Sequence, residues 1–100
     1  MAKAPAVLCR SIVKNYFLHE GWLPRGTAVE EWKAVTFEQM DIDDPPVEVD
    51  PHFQKKKIAV ALQHAFQLAG GSLASPLAEL KKPASSLGDL ADWCIENSKW

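Results

Sequence analysis

Lys55-Lys56-Lys57 is the run whose residue types and spacing most directly suggest chemistry: three cations within the first two turns of a helical segment. They sit at the positive end of that helix's dipole, which is unfavourable by about 0.3–1 kcal/mol per charge at low salt. Either the side chains are simply solvated or an anion offsets them. The anion could be the acidic stretch just before the helix, a phosphate, or a partner's acidic patch. Lys81 and Lys82 extend the candidate anion-binding set, at the favourable negative end of a later short helix.

The opposite sign is concentrated upstream. Between Glu30 and Asp50 there are eight acids and one base, Lys33, giving −7, while the rest of the chain carries +5 and the whole only −2. Such asymmetry marks either a partner-facing surface or two parts of one monomer facing each other. Asp41, Asp43, Asp44 and Glu48 are therefore candidate interaction residues, able to steer association.

Trp22, Trp32, Trp93 and Trp100 are many for 100 residues. Tryptophan fills cores, but it is also enriched at interface hot spots. Trp22 follows a helix stop and Trp100 is the final residue given, so these two join the candidate interaction surface.

Other chemistry is hard to assemble. His19, His52 and His64 are scattered, with no partner at a useful spacing. Cys9 and Cys94 fall on apolar helix stripes, without a CxxC or CxxH, and read as two core thiols. The loop Asp43-Asp44-Pro45-Pro46 is acidic but lacks the spacing and final glutamate of a calcium loop. No G-x-S-x-G, dinucleotide or phosphate-loop pattern occurs. The expectation is a protein with no catalytic residue, metal or cofactor.

The elements that must position these residues are marked by their ends. An amphipathic stripe of Leu8, Cys9, Ile12, Val13, Tyr16 and Phe17 predicts a helix over 5–20, stopped by Gly21 and then Pro24. Thr27 and Glu30 match a capping box opening a helix over 28–40, although Ala34 to Phe37 is rich enough in β-formers to be extended. A loop follows over 41–49. Asp50 and Pro51 suit the cap and first residue of a long helix over 51–69, with a stripe of Ile58, Ala61, Leu62, Ala65, Phe66 and Ala69, ended by Gly70-Gly71. Ser75 and Pro76 open a short helix over 76–82 that Pro83 breaks, and Ser86 with Asp89 caps a last helix over 87–98 carrying Leu87, Leu90, Ala91 and Cys94. The fold expected is a single all-α domain over 1–100, an irregular bundle of about five helices.

The region 76–95 has the general shape of a helix-turn-helix. However, Pro83 occupies the turn, and the second helix carries Asp89, Asp92 and Glu96 with no base before Lys99. A helix entering the major groove would bring those carboxylates among phosphates. No apolar run is long enough to span a bilayer, and the first residues lack a signal-peptide core, so a reducing, cytoplasmic compartment is expected. The functional expectation is a small regulatory or protein-interaction domain that binds another protein or a second copy of itself. A nucleic-acid-associated regulator using the lysines, outside the last helix, is the weaker alternative.

Overall fold

The computed structural model describes residues 5–40, 53–82 and 84–100. Four α-helices organise them: α1 (Ala6–His19), α2 (Phe53–Leu68), α3 (Leu77–Leu80) and α4 (Leu87–Asn97). A 3₁₀ helix covers Val29–Ala34, and two short strands, β1 (Ser72–Leu73) and β2 (Ser98–Lys99), pair antiparallel. The fold is mostly α, as the stripes require.

Both long helices with a glycine stop end as the sequence dictates. At α1, the Gly21 N–H donates to the Leu18 carbonyl (3.2 Å) and the Trp22 N–H to the Phe17 carbonyl (3.1 Å). At α2, the Gly70 N–H donates to Gln67 (3.1 Å) and the Gly71 N–H to Phe66 (2.8 Å). This is the paired closure that satisfies the last carbonyls of a helix when one residue turns left-handed. Gly70 does so at φ +98°.

One core joins these elements. α1 packs most extensively on α4 and also touches α2. It contributes Cys9, Val13 and Phe17, all fully buried, while α4 contributes Leu87, Leu90, Ala91 and Cys94. The α4 stripe is the one the spacing predicts. On α2 the buried line runs through Lys55, Ile58, Ala59, Leu62 and Phe66, so it is turned toward Ala59 relative to the expected stripe. Ala61 and Ala65 are only partly buried, and Ala69 is exposed.

The second predicted helix, 28–40, is corrected. Only Val29–Ala34 is helical, as a 3₁₀ turn whose N-cap, Ala28, receives no side-chain hydrogen bond. The chain then extends. Val35 and Phe37 are buried, with the half-buried Thr36 between them, and Thr36 bridges antiparallel to Ser86. The Phe37 N–H donates to Ser85 (3.0 Å), and the Leu87 N–H donates to Val35 (2.9 Å). The β-forming residues and these tertiary hydrogen bonds outweigh the local capping signal. The short helix is also trimmed to one turn, with Pro76 at the N-cap position and no side-chain cap. Asp50, Pro51, Pro83 and the loop over 41–49 lie outside the described residues.

The α4 cap is complete. Ser86 Oγ accepts from the Asp89 N–H (3.2 Å), and Asp89 Oδ2 accepts from the Ser86 N–H (3.0 Å). Ser86→Ala leaves the Asp89 N–H without this acceptor and is expected to cost about 1 kcal/mol. Urea denaturation should show a lower midpoint with an unchanged slope.

Candidate functional site

The three consecutive lysines do not form one cluster. Successive residues of an α-helix lie about 100° apart, and Lys55 is turned inward, 4% exposed, while Lys56 and Lys57 are on the surface. A buried lysine keeps its aliphatic stem against apolar neighbours. Its burial lets Lys55 share a face with Ile58, Ala59 and Leu62.

Lys56 and Lys57 instead belong to an open groove of about 750 Å³ lined by Val60, Ala61 and His64 as well. Val60 is 64% exposed and Leu68 77% exposed. Val60, His64 and Leu68 recur every four residues, so they follow one side of α2. Among the described residues, the other exposed large apolar side chains are Val7, Leu8 and Val29, on different elements. Lys81 and Lys82 lie at the end of α3 and do not line this groove; Lys82 Nζ pairs with Glu79 Oε1 at 2.8 Å.

Trp22 and Trp100 are both half-buried against the core. Trp22 Nε1 is enclosed without a hydrogen-bond partner. It is close enough to Tyr16 to act on the phenol, whose pKa is raised by burial first and by the Glu20 charge second, the indole opposing them most weakly. Trp100 donates from Nε1 to Ser98 Oγ (2.8 Å), and its ring tilts against Phe66 with centroids 5.7 Å apart. Asp41, Asp43, Asp44 and Glu48 lie outside the described residues, as does His52.

The remaining polar features are dispersed. A second cleft of about 480 Å³ brings Glu30, Glu31, Lys33, Thr27 and Gln39 together beside the 3₁₀ helix. Among the described residues, no three His, Cys, Asp or Glu side chains are placed to hold a metal ion. On α4, Asp89, Asp92 and Glu96 are all exposed, and Asp92 makes a 3.8 Å ion pair with Arg10. Cys9 and Cys94 are free and buried. Burial raises both thiol pKa values, that of Cys94 to about 12, with the nearby Cys9 and Glu79 adding to it.

Among the described residues, the outer side of α2 carries both exposed lysines of the run and the exposed Val60 and Leu68. Val60 and Leu68 stand eight residues apart with His64 between them, a spacing that does not set them apart from the core stripe in the sequence. The described residues form a small, mostly α-helical fold. Compared with known proteins, the chain matches no family model, no curated protein and no solved structure. Among the described residues, no helix is long and apolar enough to cross a membrane.

Proposed function

We propose that this chain is a small non-enzymatic interaction domain that holds another protein against the outer face of α2. The observation that supports this reading is the exposure of Val60 and Leu68 on one line of a helix whose opposite side fills the core. Val60 and Leu68 lie about 12 Å apart along the helix with the exposed His64 between them, and large apolar side chains left on one side of a helix suit a docking surface. From Lys56 to Leu68 the helix rises about 18 Å, enough to seat roughly three turns of a partner helix.

A photo-crosslinking residue placed at Val60 or Leu68 in the native cell tests the reading. Both positions should give an adduct to the same discrete protein, and the exposed Glu96 on α4 should not. If positions 60 and 68 yield nothing above the level at 96, α2 is not a docking face. The nucleic-acid alternative rests on the exposure of Lys56 and Lys57. It requires binding to nonspecific duplex DNA that falls steeply as salt rises.

A further inference from the structure

We propose that Cys9 and Cys94 form a redox-sensitive latch: a peroxide oxidises Cys9 first, and Cys94 then closes a disulfide that pins α1 to α4. The latch stands apart from the α2 face and does not depend on it.

Position supplies the first argument. Cys9 and Cys94 are the two cysteines of the chain. Both are free and fully buried, and they belong to the two helices that pack most extensively on each other. Two contacts fix how those helices face. Cys9 Sγ lies 3.9 Å from Ser98 Oγ, and the neighbouring Arg10 guanidinium lies 3.8 Å from Asp92 Oδ1. Cys94 stands between these two partners in the chain, and Ser98 follows it by four residues, about one helical turn along the same side. The two thiols therefore enter the same stretch of the α1–α4 seam, and Cys9 is near enough to help raise the Cys94 pKa. Packed helix axes stand about 8–10 Å apart with Cα atoms about 2.3 Å from each axis, so facing Cα atoms approach to about 3.5–5.5 Å. Disulfides join Cα atoms about 4.4–6.8 Å apart, a span that helices packed in this way supply.

The first turn of α1 sets the order of events. Its N-cap, Pro5, supplies no side-chain hydrogen bond, and the turn holds no acid to complement the helix dipole. Val7 and Leu8 are exposed there, so the turn buries little apart from Cys9 and opens more readily than the core. Burial raises the Cys9 pKa, while the Ser98 hydroxyl and the Arg10 charge oppose it. At Cys94 every cause raises the pKa. Opening of the first turn thus exposes the better thiolate, and Cys94 stays behind as the resolving thiol.

The chemistry balances with a peroxide as the oxidant. The Cys9 thiolate attacks one peroxide oxygen, the O–O bond breaks, and the departing hydroxide takes up the thiol proton as water. Cys9 is then a sulfenic acid. The Cys94 sulfur attacks the Cys9 sulfur, the S–O bond breaks, and the oxygen leaves as a second water with the Cys94 proton. Two thiols are oxidised to one disulfide, and one hydrogen peroxide is reduced to two waters.

The test treats the folded full chain with hydrogen peroxide at neutral pH. Intact mass should fall by two hydrogens, the product should stay monomeric, and peptide mapping should find Cys9 joined to Cys94. The melting temperature should rise by roughly 10–30 °C, as expected for a long closed loop, and return with dithiothreitol. Cys94→Ala should stop at the Cys9 sulfenic acid, captured by dimedone. Cys9→Ala should be captured about ten-fold more slowly, because its remaining thiol is the better enclosed. An unchanged mass, a sulfenic acid that persists in the wild-type chain, or disulfide-linked dimers would each overturn the latch. So would a bond that forms only in urea, or an oxidised monomer that melts below the reduced one. Faster capture at Cys94 than at Cys9 would overturn the order of attack.

Discussion

Phe66→Ala should remove about 3–5 kcal/mol of folding stability, the range for deleting a phenylalanine from a closed core. Phe66 is fully buried, and its backbone carbonyl accepts the Gly71 N–H at 2.8 Å to close α2. Its ring also supports Trp100, which lies so close over Gly71 that a Cβ there would stand 2.8 Å from the indole. Trp100 in turn bonds Ser98, the residue of β2 that pairs with Leu73. Truncation therefore opens a cavity and unseats the ribbon that ties the end of α4 to the end of α2. Small domains hold a total of about 5–15 kcal/mol, and one of this size sits toward the thin end. The melting temperature should fall by roughly 12–40 °C, at about 4–8 °C per kcal/mol. Thermal denaturation followed by circular dichroism measures it, and tryptophan fluorescence reports Trp100 separately. Gln67→Ala, one residue along on the exposed side, should change stability by less than about 0.5 kcal/mol. A loss below about 1 kcal/mol at Phe66 would mean that the α2 end is not part of the cooperative core.

The contrast between these neighbours shows which parts of the fold local sequence could specify. Where a stripe is made of large side chains, as at Leu87, Leu90 and Cys94, spacing alone identifies the buried side. Where it is made of alanines it does not. Ala61 and Ala65 fit the α2 stripe as well as Ala59 does, and only the packing of Ile58, Leu62 and Phe66 decides that α2 turns toward Ala59 and Lys55. The stops at Gly21 and Gly70 were legible because a left-handed residue and its two closing hydrogen bonds lie within six residues. The pairing of Ser72 with Lys99 and of Thr36 with Ser86 joins segments far apart in the chain, and no local signal marks it. For the same reason the Thr27–Glu30 cap signal failed. It is a local preference, and the burial of Trp32, Val35 and Phe37 against α4 is worth more.

The candidate site was legible in its charge and not in its geometry. Three adjacent lysines attract attention as a unit, but a helix distributes them over more than half its circumference. One becomes part of the core, and two border the groove. Trp22 and Trp100, both candidates for the interaction surface, are half-buried against the core. The aliphatic residues that do face outward, Val60 and Leu68, sit in a helix whose composition resembles any core helix. Among the described residues, α1, β1 and α3 pack on α2, and their positions, not a local pattern, set which of its residues are buried.

Alkaline unfolding should be governed in large part by Cys94. Its thiol is fully buried, and desolvation is the leading cause that lifts its pKa from an ordinary 9.0 to about 12, followed by the nearby Cys9 and Glu79. The folded-state pKa is raised, so the unfolded chain releases this proton first. Below about pH 9 the thiol is neutral in both states and its contribution is complete. Above pH 9 the unfolded state ionises while the folded one does not, and stability falls by about 1.4 kcal/mol per pH unit until roughly pH 12. Cys9, also raised chiefly by burial, and Tyr16, raised by burial and Glu20, act in the same direction, so the wild-type decline should be steeper still at the top of the range. Cys94→Ala isolates the thiol. The variant should be less stable at pH 7, where only packing is lost, but its stability should decline with a slope shallower by about 1.4 kcal/mol per unit between pH 9 and 11. Urea titrations at half-unit intervals give both curves. A thiol reagent at pH 8 should modify Cys94 only at the rate at which the domain opens. Parallel curves for the two proteins would mean that the Cys94 sulfur reaches water in the folded state, and the closed α1–α4 contact would have to be redrawn.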